Sequence, residues 1–461
     1  MKNMLFPLRK NKIPLLVMTA IFCLVKPAIS FAQTAFNYPS QYGKPFKGVP
    51  DRADVMMYQV NTRSFSKDGN FKGVTARLDS IKALGINVIY LMPIYQVGVL
   101  KGSNSPYATQ NYDEVGREFG TLQDLRELVD GAHQLKMAVL LDVVANHTSW
   151  DHPWITNKDW YAQDSVGNIK YPRDWKDVAQ LNFKNNDMRM SLIHSIKSWV
   201  YKANVDGFRC DFVDGPPMDF WQQLNDTLHT IKSHKLLMLA EGESPKYFKA
   251  GFDYTFGFRY FGNLKSIYSK HRSVKTIDSM NVKEYSGASE GQAVVRYVTN
   301  HDVNSSDGTP LELFGGKKGS MAAFVVIAYM KGIPMVYNGQ EIATPFRLTF
   351  PFTRNKIDWS LAQTNQDVTS EYKKVIAFRN KSKAIRRGTL NAYSSDDVCV
   401  FTKQSGKEQV LVLSNLRNQS VNYAVPDGLS TSGWKDAFTG KAVTVDREVK
   451  MEPFQYIVLT K

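Results

Sequence analysis

The stretch VDGFRCDF, residues 205–212, decides the fold of this 461-residue chain. It predicts a short buried strand, because it is mostly apolar and a glycine and two prolines follow at 215–217. Arg209 and Asp211 project from the same face of such a strand. The guanidinium favours the ionised carboxylate that a nucleophile needs, although this stretch alone favours a structural ion pair.

Four other polar clusters punctuate the chain: AVLLDVVANHT at 138–148, DVAQLN at 177–182, LLMLAE at 236–241 and VVRYVTNHD at 294–302. Except for 177–182, each cluster is a run of apolar residues that ends in acidic residues, asparagine or histidine. A (β/α)8 barrel presents its active site in this way, at the C-terminal ends of its strands. The sequence therefore predicts an α/β fold of the TIM-barrel type.

The motifs DVVANH, GFRCD, LAE and TNHD occur here in that order. As an ordered set they resemble the α-amylase family of retaining glycoside hydrolases, family 13, over nearly the whole chain after its N-terminal segment. The resemblance implies cleavage of α-1,4-glucosidic bonds in starch, maltooligosaccharides or related α-glucans. It also identifies the irregular, Trp-rich stretch at about 147–182 as domain B, a short excursion after strand 3.

Retaining glycosidases need two carboxyl groups that flank the scissile bond, about 5–5.5 Å apart. The resemblance makes Asp211 the nucleophile, kept charged by Arg209, and Glu241 the acid/base. The apolar strand before Glu241 favours its protonated form. Asp302 is the third carboxylate, which clamps sugar hydroxyls and helps to distort the ring.

Glu243 is an alternative acid/base, because it lies two residues beyond Glu241 and faces the same side. The family pattern places the acid directly after the apolar strand, which favours Glu241. Both assignments remain open at this point.

The resemblance assigns further residues to substrate binding. Tyr107 supplies the ring that stacks on the sugar, His147 and His301 donate hydrogen bonds to it, and Asp142 braces Arg209.

Two departures from the family pattern stand out. Relatives often carry Lys-His three and four residues after the nucleophile, but this chain has Asp214-Gly215. Relatives also often hold a structural calcium ion; Asn146 matches one ligand, but Gln180 replaces the expected aspartate. A neutral amide is a poorer calcium ligand than a carboxylate, so calcium binding is doubtful, and the chemistry requires no cofactor.

Residues 1–32 have the pattern of a signal peptide: four basic residues precede an apolar run at 13–25, with cleavage expected after Ala32. The run is too short to span a membrane comfortably. We therefore expect an exported protein, periplasmic or secreted, without a membrane partner after cleavage. Removal of five basic residues lowers the formal charge from +15 to about +10. No nucleic-acid motif accompanies this charge, so no nucleic-acid partner is expected.

The expected domains are the signal peptide at 1–32, the catalytic barrel at 33–388 and a C-terminal antiparallel β-sandwich at 389–461. The last boundary follows from a change to short alternating strands at 398–402, 409–414 and 455–460. No disulfide is expected between Cys210 and Cys399.

Two alternatives to an α-amylase remain. The first is a neopullulanase-like, cyclomaltodextrinase-like or transglycosylating enzyme with the same catalytic residues. The second is a non-catalytic glucan-binding protein on the same fold. Such a protein would be expected to have lost a carboxylate, and the intact set of Asp211, Glu241 and Asp302 favours an enzyme.

Overall fold

The computed structural model describes residues 36–351 and 355–461, and Tyr38–Lys461 form one compact unit. The expected signal peptide at 1–32 lies outside the described residues. Within those ranges, no helix combines the length and the apolar character needed to cross a membrane.

Eight parallel strands close into a barrel, which confirms the predicted fold. Every residue in these strands is buried. The barrel closes where the first strand pairs with the eighth, with Met57 opposite Met335. The strands are β1 (Met57–Val60), β2 (Val88–Leu91), β3 (Ala138–Val143), β4 (Gly207–Cys210), β5 (Leu237–Ala240), β6 (Tyr254–Phe256), β7 (Ala293–Arg296) and β8 (Ile333–Tyr337).

Helices separate the strands and cover the barrel. Two short helices, Phe71–Thr75 and Leu78–Ala83, follow β1, and Arg77 between them packs its guanidinium 4.0 Å from the centre of the Trp359 ring. The main helices are Phe71–Thr75, Leu78–Ala83, Leu122–Gln134, Asn186–Ala203, Met218–His229, Phe258–Ser269, Thr276–Lys283, His301–Ser306, Gly316–Tyr329, Gln366–Lys381 and Lys383–Arg387.

Two short sheets project from the strand ends. An antiparallel pair, Tyr95–Val97 with Thr109–Val115, follows β2. After β3, His147–Ser149 pairs with Val178–Gln180 and encloses the 3-10 helices Pro153–Thr156 and Lys158–Trp160. This second sheet spans the segment predicted to be domain B.

The C-terminal region is built from antiparallel strands, as predicted. The strands are β9 (Thr389–Ala392), β10 (Val398–Ser405), β11 (Glu408–Asn415), β12 (Val421–Ala424), β13 (Trp434–Asp436), β14 (Ala442–Val443), β15 (Glu448–Met451) and β16 (Tyr456–Thr460). Six of them form one sheet in the order β9-β10-β11-β16-β13-β14, and β12 pairs with β15 in a second sheet.

The two faces of β10 belong to different cores. Val398 and Val400 pack in a small core that includes Tyr423, whereas Cys399 and Phe401 join the core of the barrel. The neighbouring strand β11 is tied to the barrel by its Ser414 hydroxyl, which donates to a carbonyl of the helix Gly316–Tyr329 at 3.1 Å. The sheet therefore covers that apolar helix. Cys210 and Cys399 are both buried and unpaired.

Candidate active site

A cavity of about 670 Å³ opens at the C-terminal ends of the barrel strands. Six of the predicted site residues line it: Tyr107, His147, Asp211, Glu241, His301 and Asp302. Residues that the sequence argument did not assign also line it, among them Arg173, Trp175, Phe212, Asp214, Phe258 and Phe350. Asp142 and Arg209 are fully buried and do not line the cavity, so they act on substrate only through other groups.

The guanidinium of Arg209 joins three carboxyl groups. Its register on β4 places it opposite Asp142 of β3, and its Nη1 lies 2.6 Å from Asp142 Oδ1. The same nitrogen lies 2.9 Å from Asp211 Oδ1. Its Nη2 forms an ion pair with Glu241 Oε1 at 2.5 Å. Two of the three carboxylates face the cavity, so a single arginine positions both members of the expected catalytic pair.

The two charged neighbours of Asp211 act on its pKa in opposite directions. The pKa of Asp211 is raised well above its usual range, because the carboxyl group is buried and Glu241 lies beside it. Arg209 opposes the shift without cancelling it. The expectation that Arg209 keeps Asp211 charged left out the second carboxyl group on the same guanidinium. Asp211 must be ionised to act as a nucleophile, and Arg209 is the neighbour that favours its ionised form.

Asp142 holds Arg209 from below. Its Oδ1 accepts from Arg209, and its Oδ2 accepts from the hydroxyls of Tyr90 at 2.7 Å and Tyr107 at 3.0 Å. Burial raises the pKa of Asp142 to about 6, against the opposing effect of Arg209. Asp142 therefore fixes the position of the Arg209 guanidinium.

His301 is held in one orientation by its neighbours. The amide of Gln59 lies 2.8 Å from Nδ1, and the hydroxyl of Tyr107 lies 3.0 Å from Nε2. The Tyr107 hydroxyl gives its single proton to Asp142, so its oxygen accepts from His301 Nε2. A neutral His301 therefore carries its proton on Nε2, and its Nδ1 accepts from Gln59. Burial, helped by Arg209, lowers the pKa of His301 to about 3. His301 therefore presents a neutral N–H at the cavity wall.

His147 follows β3 and also lines the cavity. Its Nε2 lies 3.1 Å from the carbonyl oxygen of Tyr107, and its Nδ1 lies 3.2 Å from the side-chain amide nitrogen of Asn146. Burial lowers its pKa to about 4, so it too is neutral near pH 7. Its Nε2–H donates to the protein in the free state and is the group that could donate to a sugar.

Asp302 is placed by a helix cap. The strand β7 ends at Arg296, and the helix His301–Ser306 begins after Asn300. The side chain of Asn300 accepts from the backbone N–H groups of Asp302 and Val303, both at 3.0 Å. The Asp302 side chain is 47% exposed, and its Oδ1 lies 3.4 Å from His301 Nε2. The cap thus presents a carboxylate to the cavity.

Glu243 points away from the cavity. Its Oε2 lies 2.8 Å from Arg259 Nε, and its other oxygen accepts from the Arg259 backbone N–H. Glu241 lines the cavity, and its Oε2 accepts from the backbone N–H of Phe212 at 2.7 Å. The geometry favours Glu241 over Glu243 as the acid/base.

The residues at the expected calcium position do not fit that ion well. The amide nitrogen of Asn146 contacts His147, and a Cβ placed on Gly215 would lie 2.2 Å from its amide oxygen. Gln180 pairs with His147 across the short sheet. Among the described residues, no group of three or more histidines, cysteines or acids could hold a metal ion. Two neutral amides make a poor calcium site.

Sequence reasoning missed several residues that shape the site. Gln59 and Tyr90 are polar residues within buried strands, a signal that could have identified them as partners of site residues. Phe350 packs edge-on against Tyr107 and His301, with ring centres 5.6 and 4.9 Å apart. It lies in a loop remote in sequence, and no local pattern indicates its position.

A second cleft, of about 590 Å³, lies between the helix Gln366–Lys381 and the C-terminal sheet. Two of its carboxylates are already paired with lysines: Asp367 with Lys317 at 3.2 Å and Glu371 with Lys374 at 2.7 Å. It has no counterpart of the Arg209 cluster. The barrel cavity is therefore the candidate active site.

The closed barrel, with two carboxyl groups on one arginine at its strand ends, defines the class of barrel glycosidases. A family model described as the α-amylase catalytic domain matches residues 56–179 and 157–425. The chain belongs to the α-amylase family and is a glycoside hydrolase.

Similar proteins agree with this assignment. α-Amylase 2 of Dictyoglomus thermophilum is 26% identical over 423 residues, which cover 85% of this chain and 71% of that protein. The cyclomaltodextrinase of Thermoanaerobacter pseudethanolicus is 24% identical over 443 residues, covering 84% and 74%. The crystal structure of an α-amylase from Lactobacillus plantarum superimposes with a TM-score of 0.75 at 25% identity, covering 89% of this chain and 99% of that one.

Proposed function

We propose that this enzyme cleaves α-1,4-glucosidic bonds of starch, maltooligosaccharides or related α-glucans with retention of configuration. The observation that carries the proposal is the contact of one guanidinium with both Asp211 and Glu241. Carboxyl groups that share an arginine lie close together, as the retaining mechanism requires, whereas inverting enzymes keep them farther apart to admit a water. Relatives named α-amylase and cyclomaltodextrinase support the substrate class.

The chemistry has two steps. Asp211 attacks the anomeric carbon while Glu241 gives its proton to the leaving oxygen, so a glycosyl ester of Asp211 forms as the glucosidic bond breaks. Glu241 then takes a proton from water, whose oxygen attacks the anomeric carbon and releases Asp211. Catalysis requires a proton on Glu241 and a negative charge on Asp211. Arg209 contacts both groups and stabilises either arrangement.

The surrounding groups act on the sugar. Tyr107 offers a ring for stacking, and the neutral His147 and His301 offer N–H donors. The exposed Asp302 accepts from sugar hydroxyls. Because these contacts strengthen as the ring flattens toward the oxocarbenium-like state, they lower the barrier rather than merely bind the substrate.

The first test is the release of reducing sugar from soluble starch by the wild type and by Asp211→Asn. We expect the variant to lose about a thousandfold or more in kcat, because the nucleophile is removed while the fold is kept. Asp427→Asn, an exposed carboxylate in a C-terminal loop, is the matched control and should retain full activity. Equal rates for Asp211→Asn and wild type would refute the assignment.

One observation favours a second candidate function. Asp214 and Gly215 replace the Lys-His pair expected on the leaving side, and one relative is named a cyclomaltodextrinase. A neopullulanase-like, cyclomaltodextrinase-like or transglycosylating enzyme uses the same carboxylates. Faster turnover of cyclodextrin or pullulan than of starch, with products separated by length, would favour this candidate over an α-amylase.

We also propose that the protein is exported to the periplasm or the medium. The basic residues before the apolar run at 13–25 support this, as do the small residues that end at Ala32. The mass of the protein recovered from a producing cell should correspond to a chain that begins at Gln33. Recovery of the intact 461-residue chain in the cytoplasm would contradict export.

A further inference from the structure

Two groups of aromatic side chains line the cavity together with the catalytic carboxylates, and we call each group an end of the cavity. At one end, Tyr107 stacks on His301, with ring centres 5.7 Å apart, and Phe350 packs edge-on against both. At the other end stand Trp175 and Phe212, with ring centres 5.1 Å apart. The mechanism described above uses the first end and His147, whose ring packs edge-on against Trp175 with centres 5.7 Å apart, but it gives no role to Trp175 or Phe212 themselves.

The second end is built from two distant parts of the chain. Trp175 comes from the excursion after β3 and packs edge-on against Phe212, which directly follows the nucleophile. The guanidinium of Arg173 lies 4.3 Å from the centre of the Phe212 ring and 5.4 Å from that of Trp175. Trp175 and Phe212 are only half-buried, so both rings keep free surface toward the cavity. We call Arg173, Trp175 and Phe212 the aromatic wall.

Two members of the aromatic wall have strained backbones. Arg173 has a φ of +50° and Phe212 a φ of +42°, in the left-handed region that large side chains avoid. Such conformations persist only where the surrounding structure enforces them, and they concentrate at functional sites. Here the two strained residues bring their side chains together at one end of the same cavity.

The acid/base shows which end receives the leaving group. Glu241 must protonate the leaving oxygen, and its Oε2 accepts from the backbone N–H of Phe212 at 2.7 Å. The acid therefore stands beside the aromatic wall. The sugar that departs with that oxygen lies on the same side.

We infer that Trp175 and Phe212 determine leaving-side specificity by packing against the sugar that departs, and against a sugar that later enters as acceptor. The inference rests on the proposed function. Aromatic rings bury the C–H faces of sugars, and the guanidinium of Arg173 adds hydrogen-bond donors. Asp214, beyond the wall, accepts from the Tyr247 hydroxyl and lies 3.7 Å from Lys246 Nζ. With that carboxylate engaged, the rings supply the main contact surface.

The transfer reaction uses the same wall. The acceptor hydroxyl gives its proton to Glu241 while its oxygen bonds to the anomeric carbon, and the ester bond to Asp211 breaks with its electron pair returning to the carboxylate. A sugar held on the wall competes with water for this step. The wall thus favours oligosaccharide products when acceptor sugar is abundant.

The test compares two substrates that share one donor group, maltotriose and α-maltosyl fluoride. Maltotriose places a glucose on the wall, whereas fluoride leaves without a sugar contact and without protonation by Glu241. For Trp175→Ala we expect kcat/KM on maltotriose to fall by about tenfold or more. Fluoride release should stay within about twofold of wild type when water is the acceptor. With maltose added, the share of transfer product should fall.

Two further variants sharpen the result. Trp175→Phe retains a ring and should recover a large part of the maltotriose activity. Tyr171→Ala removes an exposed ring from the same excursion, outside the cavity. Its activity on both substrates should equal that of the wild type. An equal loss on both substrates would show that Trp175 is merely structural, and no loss on either would show that the wall does not hold a sugar. No fluoride release by wild type would instead overturn the proposed function, and the inference with it.

Discussion

The charges of the site depend on the guanidinium group of Arg209. It is completely buried, and it faces Asp142 below and the Asp211–Glu241 pair above. One buried guanidinium therefore compensates negative charge on both members of the catalytic pair, while Asp142 holds it in place.

Lys403 presents the opposite situation, a buried basic residue that pairs with no carboxylate within 36–351 and 355–461. Its side chain is 4% exposed, and its Nζ donates to the carbonyl oxygen of Met330 at 2.9 Å. Burial, reinforced by the positive charges of Arg379, Lys331 and Arg296, lowers its pKa to about 7. The fold therefore tolerates this lysine best when it is neutral.

The pH dependence of stability should report this residue. Above pH 7 the folded chain releases the Lys403 proton, while the unfolded chain keeps it up to about pH 10.4, so the free energy of unfolding rises with pH across that window. Lys403→Met should stabilise the protein at pH 7. It should also flatten the rise by up to about 1.4 kcal/mol per pH unit.

Denaturant unfolding at pH 7, 8 and 9 measures the effect. Lys407→Met, an exposed lysine in the turn that follows β10, is the control and should leave the pH profile unchanged. Parallel profiles for wild type and Lys403→Met would show that the buried lysine is not the source of the dependence.

At the scale of elements, the short helix His301–Ser306 carries two residues of the site at its start. Asn300 satisfies two of its free N–H groups, those of Asp302 and Val303. The cap therefore fixes both the helix and the direction in which the Asp302 carboxylate leaves it.

Asn300→Ala should lower the free energy of unfolding by about 1 kcal/mol, since the cap is lost. It should also lower kcat, because the first helical turn that holds Asp302 is released. Asn300→Ser keeps a capping oxygen, so its free energy of unfolding and its kcat should fall less than those of Asn300→Ala. Denaturant unfolding and starch hydrolysis, measured on the same preparations, check the expectation. A fall in stability with kcat unchanged would separate the cap from catalysis.

Elements also show where sequence patterns succeed and where they fail. The strands were predictable because each barrel strand is a short apolar run, and several end in polar groups that have no place in a core. The antiparallel pair Tyr95–Val97 with Thr109–Val115 was not predictable in this way. Its central ring, Tyr95, packs against Tyr112 and Trp199, with ring centres 6.0 and 5.9 Å away. These tertiary contacts, rather than an alternating pattern, explain the pair.

For the whole molecule, the identities of the site residues were easier to predict than their environment. Polar residues at strand ends must meet at one rim of a barrel, so Asp211, Glu241 and Asp302 could be grouped from sequence. The raised pKa of Asp211 depends on the proximity of Glu241, which spacing along the chain does not give. Likewise, Trp175 meets Phe212 only because the excursion after β3 folds back over the cavity.

The strand β10, which places Cys399 and Phe401 in one core and Val398 and Val400 in another, limits how the chain can change in length. One residue inserted within this strand would exchange the side chains of the two cores over the rest of its length. An insertion at the turn beside Gly406, which has a φ of +60°, would leave both sets in place. Related sequences should therefore gain and lose residues at this turn and keep the strand itself constant in length.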